Sequence, residues 1–167
     1  METGILYEQK IIEIKNRGKI TINDDIKFHR IVDVLNAFFN CDYKAWMRAG
    51  KKINNFKWIW FPQLNEIDKE YRPNPTKHGH ITAACWSNVL SGDGMTITQK
   101  WIATDFLPPW GPFDKIKENK IEDIGVFAKE YKGDYRFVGI FRLDIENSHE
   151  HTTVRKQHSN ELLFNEW

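Results

Sequence analysis

The sequence predicts an α+β fold in a single domain: a mostly antiparallel curved sheet or small barrel, with one or two helices near the N-terminus. Three observations lead there. Early in the chain, Phe28, Ile31, Val32, Leu35, Phe38 and Phe39 recur at helical spacings of three and four. Later, alternation with a period of two takes over, most plainly over residues 135–145. The connections between predicted strands are too short for helical crossovers, which argues for antiparallel pairing. At 167 residues the chain has the length of one domain and can bury a core without disulfides or metals.

Residues 11–22 read as a hairpin: Ile12 and Ile14 alternate with charged residues, Asn16-Arg17-Gly18 supplies the turn, and Ile20 and Ile22 resume the alternation. The main helix then starts near Asn23 or Asp24, either of which can cap it. A shorter helix is predicted over 43–49, stopping at Gly50. From Phe56 to Phe61 the period is two, with Phe56, Trp58 and Trp60 on one face, assigned to the core, and Pro62 ending the strand. A polar loop containing Pro73 and Pro75 leads to a strand over 80–86. That loop is the one candidate linker, but the residues before it make a poor independent core, so 1–167 is taken as one domain. Ser91-Gly92-Asp93-Gly94 signals a tight turn, and Met95 to Thr98 a return strand. Pro108 to Pro112 form a rigid loop around Trp110, and 113–130 are divided between a short helix and a short strand. Residues 135–145 are the clearest strand, and 151–156 another.

Composition narrows the function classes. Lys plus Arg number 24 against 23 Asp plus Glu, a net charge of +1, which excludes a strongly basic arm or an acidic tail. The N-terminal segment lacks the apolar core of a secretory signal, and no run is long enough to span a membrane. Cys41 and Cys85 read as reduced thiols, so a cytoplasmic setting is expected. Aromatic content is the outlier, at 14% with seven Trp. No cofactor motif is present, and none is expected.

Three groups of residues could carry function. The first is a pair of histidines: His80-Ile81-Thr82 and His151-Thr152-Thr153 both read H-x-T, 71 positions apart. This pair resembles the motif of the two-histidine phosphoesterases. The resemblance implies one imidazole as general base, the other as general acid on a cyclic or 2′-5′ phosphodiester, with Thr82 and Thr153 on the phosphate. His78, His80, His149 and His151 form two H-x-H pairs, but such pairs also occur on solvated turns, and no metal is expected. The second group is aromatic. Trp86 precedes a turn and Trp110 sits among prolines, so these two are the candidates to stack on or enclose a base. The third group is basic: Lys44, Arg48, Lys51, Lys52 and Lys57 fall between 43 and 57 with no acidic residue among them, and Arg155 and Lys156 add a smaller spot.

The stretch Asp134-Tyr135-Arg136-Phe137-Val138-Gly139-Ile140-Phe141-Arg142-Leu143-Asp144, followed by Thr153-Val154-Arg155-Lys156 and Glu161-Leu162-Leu163-Phe164, resembles the C-terminal end of uncharacterised bacterial modules. Those modules are PUA-like or SRA-like, occur with restriction-type or mobile-element proteins, and read nucleic acid. The resemblance implies a PUA-like barrel and no catalytic signature. The leading expectation is therefore a nucleic-acid-binding module, DNA or RNA, reading a modified or flipped base in a bacterial or phage defence setting. Its contacts would be Arg48, Lys51, Lys52, Lys57, Arg155 and Lys156 on phosphates and Trp86 and Trp110 on the base. The alternatives are the phosphoesterase, and an accessory factor that binds protein through exposed aromatics.

Overall fold

The first helix forms where the sequence suggested a hairpin. In the computed structural model, which describes residues 2–65, 86–101, 122–130, 132–149 and 151–167, α1 spans Glu2–Arg17. Tyr7, Ile11 and Ile14 recur at i, i+4 and i+7, and this triplet packs on the core, with Ile14 only 1% exposed. Alternation over Ile12 and Ile14 alone masked that longer period. Gly18 is a helix stop rather than a hairpin turn: its φ is +80°, and its N–H donates to the carbonyls of Ile14 and Lys15.

β1 (Lys19–Thr21) follows and pairs antiparallel with β11 (Glu161–Leu163). A 3-10 turn, Ile22–Asp24, comes next, and Phe28 lies in β2 (Lys27–Phe28) rather than in a helix. The helix α2 therefore begins later than the sequence suggested and covers Ile31–Phe38. Its predicted face holds: Val32, Leu35 and Phe38 are buried, with Val34 beside them. Asp24 caps the 3-10 turn from within: its carboxylate accepts the Thr21 N–H at 2.7 Å and pairs with Arg17 at 2.5 Å.

Partial burial pushes the Asp24 carboxyl up, but its bonds to Arg17 and the Thr21 N–H outweigh burial and hold it below the usual carboxylate range. A carboxyl depressed on folding contributes stability above its unfolded pKa of about 3.9, lost as pH falls through the folded value. Asp24→Asn should therefore lower stability by about 1 kcal/mol at neutral pH. The gap to the unsubstituted protein should narrow in thermal unfolding as pH is lowered from 7 to about 3. A gap unchanged at that pH would show that the charge is not what Asp24 contributes.

The chain divides into two compact units, one of Met1–Gln63, Ile121–Phe141 and His158–Trp167, the other of Leu64–Lys120 and Arg142–Gln157. In the first, β3 (Gly50–Lys52) pairs antiparallel with β4 (Lys57–Trp60), and β8 (Asp123–Glu130) pairs antiparallel with β9 (Tyr135–Leu143). β4 and β8 run parallel, an exception to the antiparallel rule that the long intervening segment makes possible. The β8–β9 register slips between Val126 and Phe127, and Gly139, at φ +128°, takes up the bulge that the slip requires. The core of this unit joins Ile14, Phe28, Leu35, Phe61, Phe127 and Leu162, with aromatic pairs Phe28–Phe38 at 5.5 Å and Phe127–Phe137 at 5.3 Å. The faces of β4 are the reverse of the expectation. Ile59 is fully buried, while Trp58 and Trp60 on the other face are half-buried. Pro62 does end β4, and a two-residue strand, β5 (Gln63–Leu64), pairs with β8.

In the second unit, β6 (Trp86–Leu90) and β7 (Thr96–Trp101) form the hairpin read from the sequence. Gly94, at φ +75°, and a 2.8 Å bond from the Ser91 N–H to the Thr96 carbonyl close it. β10 (Thr152–Ser159) pairs with the other side of β7 and outruns its predicted end at Lys156. The predicted loops at 72–79 and 108–112, the strand over 80–85 and Cys85 lie outside the described residues. The fold class is α+β with largely antiparallel pairing, as expected.

Candidate nucleic-acid interface

The basic segment begins where the second predicted helix fails to form. Over 43–49 the backbone is irregular because α2 captures it from outside. The Asn36 side chain accepts the Tyr43 N–H at 3.0 Å and donates to the Tyr43 carbonyl at 2.9 Å. Both backbone groups of Tyr43 are thus diverted from helical bonds. The Tyr43 and Trp46 rings stack at 5.1 Å, and the Lys51 ammonium lies 5.1 Å from the Trp46 ring and 5.7 Å from Tyr43. The Phe61 N–H donates to the Ala49 carbonyl at 2.7 Å and ties the segment to the strands. A Cβ on Gly50 would meet the Trp58 ring at 3.2 Å, so a larger residue there would have to push that ring aside slightly.

The five cations differ in their surroundings. Lys57 donates to the Glu166 carbonyl at 2.6 Å and sits 5.0 Å from the Trp167 ring. Lys51 is held by its aromatic pair. Lys44, Arg48 and Lys52 are exposed. None of the five makes an ion pair with a described residue, so their charge stands uncompensated within the described part of the chain.

The smaller basic spot is not a free surface. Arg155 is 9% exposed and donates to the Gln99 side-chain oxygen at 3.2 Å. Burial pushes its guanidinium down to about 10, which leaves it charged at neutral pH. Lys156 is exposed, but its ammonium pairs with Asp144 at 3.1 Å. Bonds from the Asn147 side chain, then from Lys156, hold the Asp144 carboxyl below its ordinary range.

The second unit instead carries a row of buried polar side chains that the sequence reading missed. Asn88 on β6 pairs with Gln99 on β7, and Gln99 with Thr153 on β10; their exposures are 7%, 8% and 5%. The signal was legible in β7, where Ile97, Gln99 and Trp101 share the buried face: a Gln between two apolar residues at a period of two marks a polar inward position. Ser148 adds a polar clasp, accepting the Val154 N–H and donating to the Asp144 carbonyl.

Trp86 opens β6, with its backbone paired to Trp101; Trp110, His80 and Thr82 lie outside the described residues. His151 is exposed in the turn ahead of β10, whereas Thr153 is buried within the strand. His151 and Thr153 thus differ in exposure, and the pairing of Thr153 with Gln99 places it in the polar row. Among the described residues, no group of three or more His, Cys, Asp or Glu side chains could hold a metal ion, and no helix is long and apolar enough to cross a membrane.

Among curated proteins none matches this chain. Among solved structures, the one described as "The 5-Hydroxymethylcytosine-Specific Restriction Enzyme AbaSI" is similar, with a TM-score of 0.65 and 25% sequence identity. The similarity covers 93% of this chain and 46% of that enzyme, so the chain spans under half of its length. The family described as "SRA: SET and RING associated domain" matches residues 13–160, far more than the C-terminal stretch in which the likeness was first legible. A match over that much of the sequence decides the family: the chain belongs to the SET and RING associated, or SRA, domain family.

Proposed function

We propose that this chain reads a modified cytosine in duplex DNA and serves as the recognition part of a restriction or related defence system. The observation that carries the reading is the family match over residues 13–160. The similarity to a 5-hydroxymethylcytosine-specific restriction enzyme supports it and points to the hydroxymethylated base. Because the chain spans 46% of that enzyme, recognition rather than strand cutting is what it is proposed to supply.

The residues divide the work by their surroundings. Arg48 and Lys52, exposed and without ion pairs to described residues, meet phosphates, while Lys51 and Lys57 brace the aromatic and C-terminal contacts beside them. Trp86 and Trp110 are proposed to stack on the base. Asn88, Gln99 and Thr153, buried side by side across β6, β7 and β10, are proposed to hold those strands in place, and Arg155 to order Gln99, rather than to touch DNA. Lys156, paired with Asp144, is proposed as a peripheral contact.

Fluorescence anisotropy with duplexes that differ at one cytosine tests this. The hydroxymethylated duplex should bind at least about tenfold more tightly than the unmodified one. Both affinities should fall between about 50 and 200 mM salt. Equal affinity for cytosine, methylcytosine and hydroxymethylcytosine would overturn the reading, as would preference for single-stranded RNA.

A further inference from the structure

We infer that Asn36 is a positioning residue for DNA binding, which holds the basic segment in its binding shape before a duplex arrives; this rests on the DNA-reading role proposed above. The Asn36 amide oxygen accepts the Tyr43 N–H at 3.0 Å, and its amide nitrogen donates to the Tyr43 carbonyl at 2.9 Å. A single hydrogen bond would leave Tyr43 free to turn about it. Two bonds, one to each backbone group, fix its orientation against α2.

The clasp is rooted in the core and reaches the cations through a short relay. Beside Asn36, Leu35 is fully buried, and Phe38 stacks on Phe164 at 5.0 Å and meets Phe28 edge-on at 5.5 Å. Asn40, at φ +52°, turns the chain out of the helix. The Tyr43 ring then stacks on Trp46, and the Lys51 ammonium lies over both. At the far end the Ala49 carbonyl accepts the Phe61 N–H, and β3 pairs with β4 from Gly50 onward.

The chemistry of the clasp suits a phosphate-binding segment. Lys44, Arg48, Lys51 and Lys52 all fall within residues 44–52, and their mutual repulsion favours a looser, more extended chain. Asn36 opposes that repulsion with a neutral amide. A carboxylate at the same place would accept the Tyr43 N–H but could not donate to the carbonyl, and it would cancel part of the charge that phosphates need. Arg48 and Lys52 thus stay exposed and without ion pairs to described residues while the backbone that carries them is held. A segment ordered in advance does not lose that freedom on binding, so the clasp contributes affinity without touching DNA.

The test compares the full chain with Asn36→Ala on hydroxymethylated and unmodified duplexes. Asn36 is exposed and Ala is a strong helix former, so the variant should keep its fold, which its thermal midpoint checks. Hydrogen exchange read by mass spectrometry over residues 42–49 reports the order of the free segment. In Asn36→Ala that exchange should rise about tenfold in the free protein and fall back when DNA is bound. Affinity for both duplexes should drop about three- to tenfold, while the slope of log affinity against log salt holds, because no cation is removed. Unchanged affinity overturns the positioning role. A drop in affinity with exchange unchanged in the free protein also overturns it and makes Asn36 a direct contact. Either result leaves the DNA-reading role standing, whereas no binding of the unsubstituted protein to any duplex removes that role and the positioning together.

Discussion

Phe28→Ala is expected to lower the unfolding free energy by about 3–5 kcal/mol, a large share of the roughly 5–15 kcal/mol available to a domain. Phe28 is fully buried in a strand of only two residues, β2, whose pairing with β9 is limited to Lys27 with Arg136 and Phe28 with Tyr135. So short a ladder contributes little by itself, and the ring holds the strand in place. It meets Tyr7 of α1 edge-on at 5.8 Å and Phe38 of α2 at 5.5 Å, so it packs against both helices. Truncation removes those contacts and leaves a cavity that two helices and a strand would have to close together. Chemical denaturation should show the midpoint falling with little change in slope. Phe28→Leu, which refills most of the volume, should lose much less, under about 2 kcal/mol. A loss below about 1 kcal/mol in Phe28→Ala would mean that the helices are held elsewhere.

The same residue shows where sequence reasoning stopped. Phe28 fits the helical spacing of Ile31, Val32, Leu35 and Phe38, and only Asp25, at φ +48°, and the short pairing with β9 separate it from α2. A left-handed residue and a two-residue strand are set by tertiary contacts, so local periodicity absorbed Phe28 into the helix. The helix predicted at 43–49 failed for a related reason. Its propensity is unremarkable, and one side chain from α2, Asn36, outbid it for the Tyr43 backbone. By contrast, the hairpin at Gly94 and the long strand β9 were legible because turn chemistry and strict alternation are local. The basic segment was legible as charge, but not which of its cations were committed to aromatic or carbonyl partners. Arg155 was misplaced on the surface because a charged residue in a β-strand reads as solvent-facing unless its partner, Gln99, 56 positions away, is known.

That distinction among the cations makes the second large effect specific. Arg48→Glu combined with Lys52→Glu should weaken DNA binding by about tenfold or more near physiological salt and lower the slope of log affinity against log salt by about two. Both side chains are exposed and without ion pairs to described residues, so their reversal should leave thermal stability nearly unchanged. Reversing Lys51 would mix two effects, since its ammonium lies over Trp46 and Tyr43, and reversing Lys57 would break its bond to the Glu166 carbonyl. Phosphate contacts carry no sequence information, so affinity for modified and unmodified duplexes should fall together and their ratio should hold. A ratio that collapses would place Arg48 or Lys52 at the base rather than on the backbone. A slope that does not move would mean that the uncompensated charge of this segment faces something other than DNA.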